Sequence, residues 1–98
     1  MPQGGARRIE LVGEYDLSQI TETAALFDAL SPDGPATIDM TRVSYVDSSF
    51  LKELVKLRAR LIPHRITLLV GQENVRRLLR IVKFEMLFEI QASPEGPP

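Results

Sequence analysis

Residues 36–51 read ATIDMTRVSYVDSSFL, and a change of period inside this stretch decides the fold. Residues 36–40 make a short run of β type, and residues 43–46 either extend or flank it. Asp47, Ser48 and Ser49 follow, three residues whose side-chain oxygens suit the free amides at a helix start. The next run is amphipathic at helical spacing. Phe50, Leu54, Leu57 and Leu61 form one stripe, with Leu51, Val55 and Ile62 beside it. Lys52, Glu53, Lys56 and Arg60 fall to the other side, and Pro63 ends the run. The stretch is therefore a strand that passes through a polar turn into a helix.

The same alternation continues outward. Residues 9–15 read as a strand that closes at Gly13 and Asp16. Residues 17–30 read as a helix with Ile20, Ala24, Phe27 and Leu30 on one face and Ser18 as its N-cap. The segment SPDGP, 31–35, is a turn. Downstream, residues 66–70 are almost wholly apolar and close at Gly71, which suits a strand buried on both faces or set in mid-sheet. Val75, Leu78, Leu79 and Val82 make a third helical stripe, and residues 84–90 are either an edge strand or an irregular end. This order predicts a single α/β domain with a four- or five-stranded, mixed but mostly parallel sheet and packed helices. Its expected span is 9–90. Residues 1–8 and 91–98 are small, polar and Pro/Gly-rich, and are expected to be loose.

Composition narrows the function. A chain of 98 residues with 44% hydrophobic content suits one modest core. There is no cysteine, so disulfides and thiolate metal sites are excluded. No apolar run approaches the roughly 20 residues that cross a bilayer, and no export signal is evident, so the expectation is a cytoplasmic protein without membrane insertion. A net charge of −1 offers no general attraction to nucleic acid. Binding is then expected through a local surface, by a monomer or a weak dimer. The one histidine, His64, follows the helix-ending proline and reads as a surface residue. No nucleophile elbow, phosphate loop, dinucleotide turn or metal-ligand pair is present, so neither catalysis nor a cofactor is expected. Arg76, Arg77 and Arg80 read as a solvated helix face, with contact to an acidic partner as the sharper alternative.

The segment 36–51 resembles the signature of the STAS domains, the sulfate transporter and anti-sigma factor antagonist family. Ile38-Asp39-Met40-Thr41 is similar to its first strand and turn, residues 43–47 to its second apolar stretch, and Ser48-Ser49 to the serine pair before the helix. Gly13-Glu14-Tyr15-Asp16-Leu17 is similar to the family's early G-x-x-D turn, and residues 66–71 and 75–82 to its central strand and following helix. The resemblance covers roughly 9–90. It implies that Ser49 is the phosphorylated residue and that Asp16 lies near it. It also implies a partner, an anti-sigma factor that is itself an ATP-binding serine kinase. The unphosphorylated antagonist binds that partner and the phosphorylated form does not. Asp16, Asp47, Ser48, Ser49, Phe50, Lys52 and Glu53 are then the expected partner-binding residues.

Two departures stand out. The family has glycine after the serine pair, where this chain has Phe50, either a core residue or an exposed docking contact. The family also begins with an extra strand, for which too few residues precede Ile9. Asp39 reads as a turn-forming residue.

The chemistry suits the place. A serine at a helix N-terminus is held by the scaffold beside free amides, and a phosphoryl group adds about −1.5 to −2 charge there. Asp47 and Asp16 then repel it, and a docked partner does not tolerate it. Plain capping is the simpler role for Ser48 and Ser49. An alternative function is a STAS-like subunit docked on the ATPase of a membrane lipid or solute transporter, which Phe50 slightly favours. A nucleotide-sensing domain ranks lower, since no glycine loop cradles phosphate.

Overall fold

A computed structural model describes residues 7–92. Apolar side chains at alternate positions make four strands: β1 (Arg8–Tyr15), β2 (Ala36–Val46), β3 (Ile66–Val70) and β4 (Glu89–Ala92). They lie in the order β1-β2-β3-β4, and every described pairing is parallel. Parallel neighbours need long crossovers, and three helices supply them: α1 (Ile20–Asp28), α2 (Ser48–Leu61) and α3 (Glu73–Ile81). With sequential order and right-handed crossovers, all three helices fall on one face of the sheet.

That face carries the core. Leu11, Ile38, Met40, Leu68 and Val70 meet Phe27, Phe50, Leu54, Leu57, Leu61, Val75 and Leu79 in one buried cluster. The register sets two polar rows on the other face: Arg8, Thr37, Thr67 and Glu89, then Glu10, Asp39, Leu69 and Gln91. β3 is thus an interior strand whose burial alternates, and only Ile66, Leu68 and Val70 are fully covered.

β2 is a single strand of 11 residues, not a short strand with a separate flank. It carries two extra residues relative to β1, as the register shifts between Glu10 and Val12 and again between Gly13 and Glu14 show. The first bulge turns Val43 inward, against simple alternation from Met40, and the second brings Val46 back to the same face. Only residues 36–40 pair with β3, so within the sheet the later half of β2 pairs with β1 alone. Gly13, at φ 97°, supplies the backbone shape of the second irregularity. Gly71, after β3, packs against the Thr41 carbonyl, where any Cβ would collide.

Asp39 is a strand residue rather than a turn former. It is buried on the polar face, where it accepts hydrogen bonds from the Thr41 amide (3.0 Å), the Thr41 hydroxyl (2.8 Å) and the Arg8 guanidinium (2.7 Å). Burial alone would raise its pKa. The two Thr41 donors and Arg8 outweigh that and hold the carboxyl below its usual value.

Helix ends are tied by side chains. Arg60 of α2 donates to the carbonyls of Leu30 (3.1 Å) and Phe27 (2.5 Å), placing a cation at the C-terminal end of α1. α2 stops at Ile62, whose ψ of 137° is the extended shape required before Pro63. Residues 84–90 divide into a 3₁₀ turn (Phe84–Met86) and the start of β4. Strand structure takes in Arg8 at one end and Gln91 and Ala92 at the other, slightly beyond the expected 9–90. The loose ends expected at 1–6 and 93–98 lie outside the described residues, as does any strand before Arg7.

Candidate functional site

In a parallel sheet all strands end on the same side, and the turns that follow Tyr15, Val46 and Val70 gather there. Two of these turns share one local design. Asp16 caps a 3₁₀ turn (Leu17–Gln19) that leads into α1, and Asp47 caps α2. Each aspartate takes an extended backbone, and each binds the amide and the hydroxyl of the serine two residues on. Asp16 Oδ1 accepts from Ser18 N at 2.8 Å and Ser18 Oγ at 2.6 Å. Asp47 Oδ1 accepts from Ser49 N at 3.0 Å, Phe50 N at 3.2 Å and Ser49 Oγ at 2.5 Å. Ser18 is therefore not an N-cap. Asp16 caps the 3₁₀ turn, a Gln19 side chain that accepts from the Asp16 amide at 2.9 Å completes the capping box, and Gln19 itself precedes α1 without a side-chain cap bond.

The second oxygen of Asp47 joins the two turns. Its Oδ2 accepts from the Leu17 amide at 3.1 Å, across 30 positions of chain, while the Asp47 amide donates to the Tyr15 carbonyl at 3.2 Å. These contacts seat Asp16 and its turn beside the start of α2. The Ser49 hydroxyl above all holds the Asp47 carboxyl below its ordinary value. The amides of Phe50, Ser49 and Leu17 add to the effect, against a smaller opposing push from desolvation. Asp47 is therefore a carboxylate at neutral pH, set at the positive end of a 14-residue helix.

The expected partner-binding residues separate into three groups. Asp16, Asp47 and Ser49 come together and remain half-exposed, and Ser48 is open to solvent as the first residue of α2. Lys52 is exposed one turn along from Ser48, on the side of α2 that faces away from α1. Two residues require correction. Phe50 has no exposed surface. Its ring packs against Tyr15 at 5.7 Å and Phe27 at 5.9 Å, so it is a core residue and not a docking contact. The inward turn also means that Phe50 leaves the approach to the serine pair unobstructed. Glu53 lies on the α1 side of the helix with its side chain largely covered (13% exposed) and pairs with Lys56 at 3.1 Å. It stands one helical turn along from Ser49, with little of its surface left for a partner.

Sequence reasoning missed the contact of Asp47 with the Leu17 amide, which no local pattern signals. It also missed Asn74, whose side chain donates to the Ser44 carbonyl at 2.9 Å and ties the start of α3 to the end of β2. Among the described residues, no three of His, Cys, Asp and Glu gather in a way that would hold a metal ion, and no helix is long and apolar enough to cross a membrane.

This architecture, a sheet with the serine turn at the head of its second helix, is the STAS type. Among the solved structures that share it are two of SpoIIAA. One is the anti-sigma factor antagonist SpoIIAA in its unphosphorylated form, with a TM-score of 0.66 and 19% identity over 97% of this chain and 86% of that one. The other is the Bacillus cell fate determinant SpoIIAA in its phosphorylated form, with a TM-score of 0.65 and 19% identity over 92% and 86%. At that identity the likeness establishes the fold. No family model and no curated protein matches the chain by sequence.

Proposed function

We propose that this protein is an anti-sigma factor antagonist, a cytoplasmic binding domain switched off by phosphorylation of Ser49. The observation that carries this reading is the position of the Ser49 hydroxyl. It stands half-exposed at the head of α2, fixed by Asp47, on a fold that it shares with an antagonist solved in both phosphorylation states. The partner is an anti-sigma factor that is also an ATP-binding serine kinase. It docks over the turns at Asp16 and Asp47 and transfers the γ-phosphoryl group of ATP to Ser49 Oγ, with loss of the hydroxyl proton.

The effect of that transfer follows from the cap. The hydroxyl donates to Asp47 Oδ1. A phosphoryl ester has no such proton, so an attraction becomes a contact between a carboxylate and a group of about −1.5 to −2 charge. The helix dipole offsets part of this charge within the folded domain. A partner seated on the same spot would have to desolvate it, which removes the complex. The transporter-subunit reading loses its particular support, because Phe50 lies in the core and favours neither role.

The test uses the cognate kinase and ATP, with the phosphate mapped by mass spectrometry. Phosphate on Ser49 in wild type and none on Ser49→Ala is expected. Phosphate found only at another residue would remove Ser49 from this role.

A further inference from the structure

We infer that the open edge of β4 takes up an extended acidic segment of a protein partner as a fifth strand, held by Arg76 and Arg80 of α3. β4 is the last strand of the sheet, so among the described residues its outward amides and carbonyls have no strand to pair with. On the helix side of this edge lies a cavity of about 300 Å³. Its strand wall is Ile90 and Ala92, which lie in register with the buried Leu68 and Val70 and so face the helices. The opposite wall is Arg76 and Arg80, with Glu85 from the turn after α3. Neither guanidinium forms an ion pair with a described residue, Glu85 included. Two cations and one carboxylate therefore stand beside an open strand edge. A basic helix face or a bare edge alone would be ordinary, and their juxtaposition is what selects a ligand.

Spacing specifies the segment. Arg76 and Arg80 stand four residues apart on α3, about 6 Å along the helix axis. Alternate residues of a strand stand about 6.6 Å apart on one face. A segment with carboxylates at i and i+2, laid along β4, therefore sets one carboxylate opposite each guanidinium. Its intervening residues fall on the other face beside Glu89 and Gln91, where Arg65 already pairs with Glu89 at 3.4 Å. The backbone pairing supplies affinity, and the arginines select the acidic sequence and its register. Nucleic acid suits the site less well, because no aromatic side chain lines the cavity for a base to stack on. A second copy is disfavoured too, because antiparallel pairing of β4 with itself would set two copies of α3 side by side with their arginines opposed. β3 separates β4 from β2, so this site does not draw on the Asp47–Ser49 turn or on the phosphorylation reading above.

The experiment titrates the ¹⁵N-labelled chain with short peptides of threonine and valine, which favour extended structure. One carries two glutamates at alternate positions, a second carries them at adjacent positions, and a third carries lysines at the alternate positions. Amide resonances of Glu89, Ile90, Gln91 and Ala92 should shift with the first peptide, which should bind about tenfold more tightly than the lysine peptide. Adjacent glutamates point to opposite faces, so the second peptide should bind about threefold more weakly than the first. N-methylation of the peptide amides that face β4 should abolish binding. Joint Arg76→Glu and Arg80→Glu should reverse the charge preference, with an otherwise unchanged spectrum showing that the fold persists. Ser49→Asp should leave peptide affinity unchanged, which separates this site from the phosphorylation switch. No binding at millimolar peptide, equal affinity for the alternate and adjacent arrangements, or shifts confined to another surface would overturn the inference. Binding of single-stranded RNA that is lost in the double arginine variant, with no peptide bound, would reassign the site to nucleic acid. A concentration-dependent dimer with shifts confined to β4 would reassign the edge to a second copy.

Discussion

The turns at Asp16 and Asp47 are near twins. Both place an extended aspartate before a helical segment, and both clamp the amide and hydroxyl of the serine two residues later. They differ in what surrounds them. Ser18 is exposed in a three-residue 3₁₀ turn, and its cap serves only its own neighbourhood. Ser49 is half-exposed at the second position of a 14-residue helix, and its cap reaches across to Leu17. The comparison teaches that an Asp-x-Ser cap is ordinary structure by itself. What sets Ser49 apart, and what the proposed switch draws on, is the long helix behind it and a neighbouring turn that shares its surface.

Four measurements break or sharpen that contrast. The largest effect is expected in partner binding. Ser49→Asp should lower affinity for the anti-sigma factor about 100-fold, and Ser18→Asp less than about threefold, by titration calorimetry. Equal losses would make the two turns equivalent and dissolve the contrast.

Next comes stability. Asp47→Ala removes the cap of α2 and the tie to Leu17, whereas Asp16→Ala removes one local cap. Thermal unfolding should show Tm falling by about 8 °C for the former and about 4 °C for the latter.

The acid limb is a smaller effect with a definite sign. The Asp47 carboxyl is held below the ordinary aspartate value, so its contribution is complete above that value and fades as pH falls through the lower folded one. Asp39 acts in the same direction. Asp47→Asn should therefore flatten the decline in stability below about pH 4, measured by urea unfolding from pH 5 downward. A slope identical to wild type would show that the carboxylate is not preferentially stabilised by folding. The smallest effect is expected from Ser49→Ala and Ser18→Ala, each about 0.5 kcal/mol, because both aspartates keep their amide donors. A much larger loss for Ser49→Ala would mark its hydroxyl as a structural element first.

Much of this arrangement was legible in the sequence. The switch between periods at residues 36–51 located β2, the turn and α2, and the stripe from Phe50 to Leu61 is the buried face of that helix. The alternation of strands and helices implied parallel pairing, and all described pairs are parallel. What escaped notice was geometry between distant residues. Bulges in β2 broke its alternation and made one strand look like two. In the string Asp16-Leu17-Ser18 either polar residue can cap, and only the backbone shows that the aspartate does. Phe50 read both ways because a residue at the third helical position can point inward or outward. Its contacts with Tyr15 and Phe27 decide the matter, and neither is near in sequence. Glu53 shared the polar side of α2 with Lys52, but α1 covers one flank of that side and not the other.

The bond from Leu17 to Asp47 has a practical corollary. Leu17 presents a well-solvated side chain (68% exposed), yet its amide proton is held by a carboxylate from another part of the fold. That one proton is a natural gauge. Its rate of exchange with deuterium reports whether Asp47 keeps its grip, and so whether the head of α2 is intact, without any probe being attached.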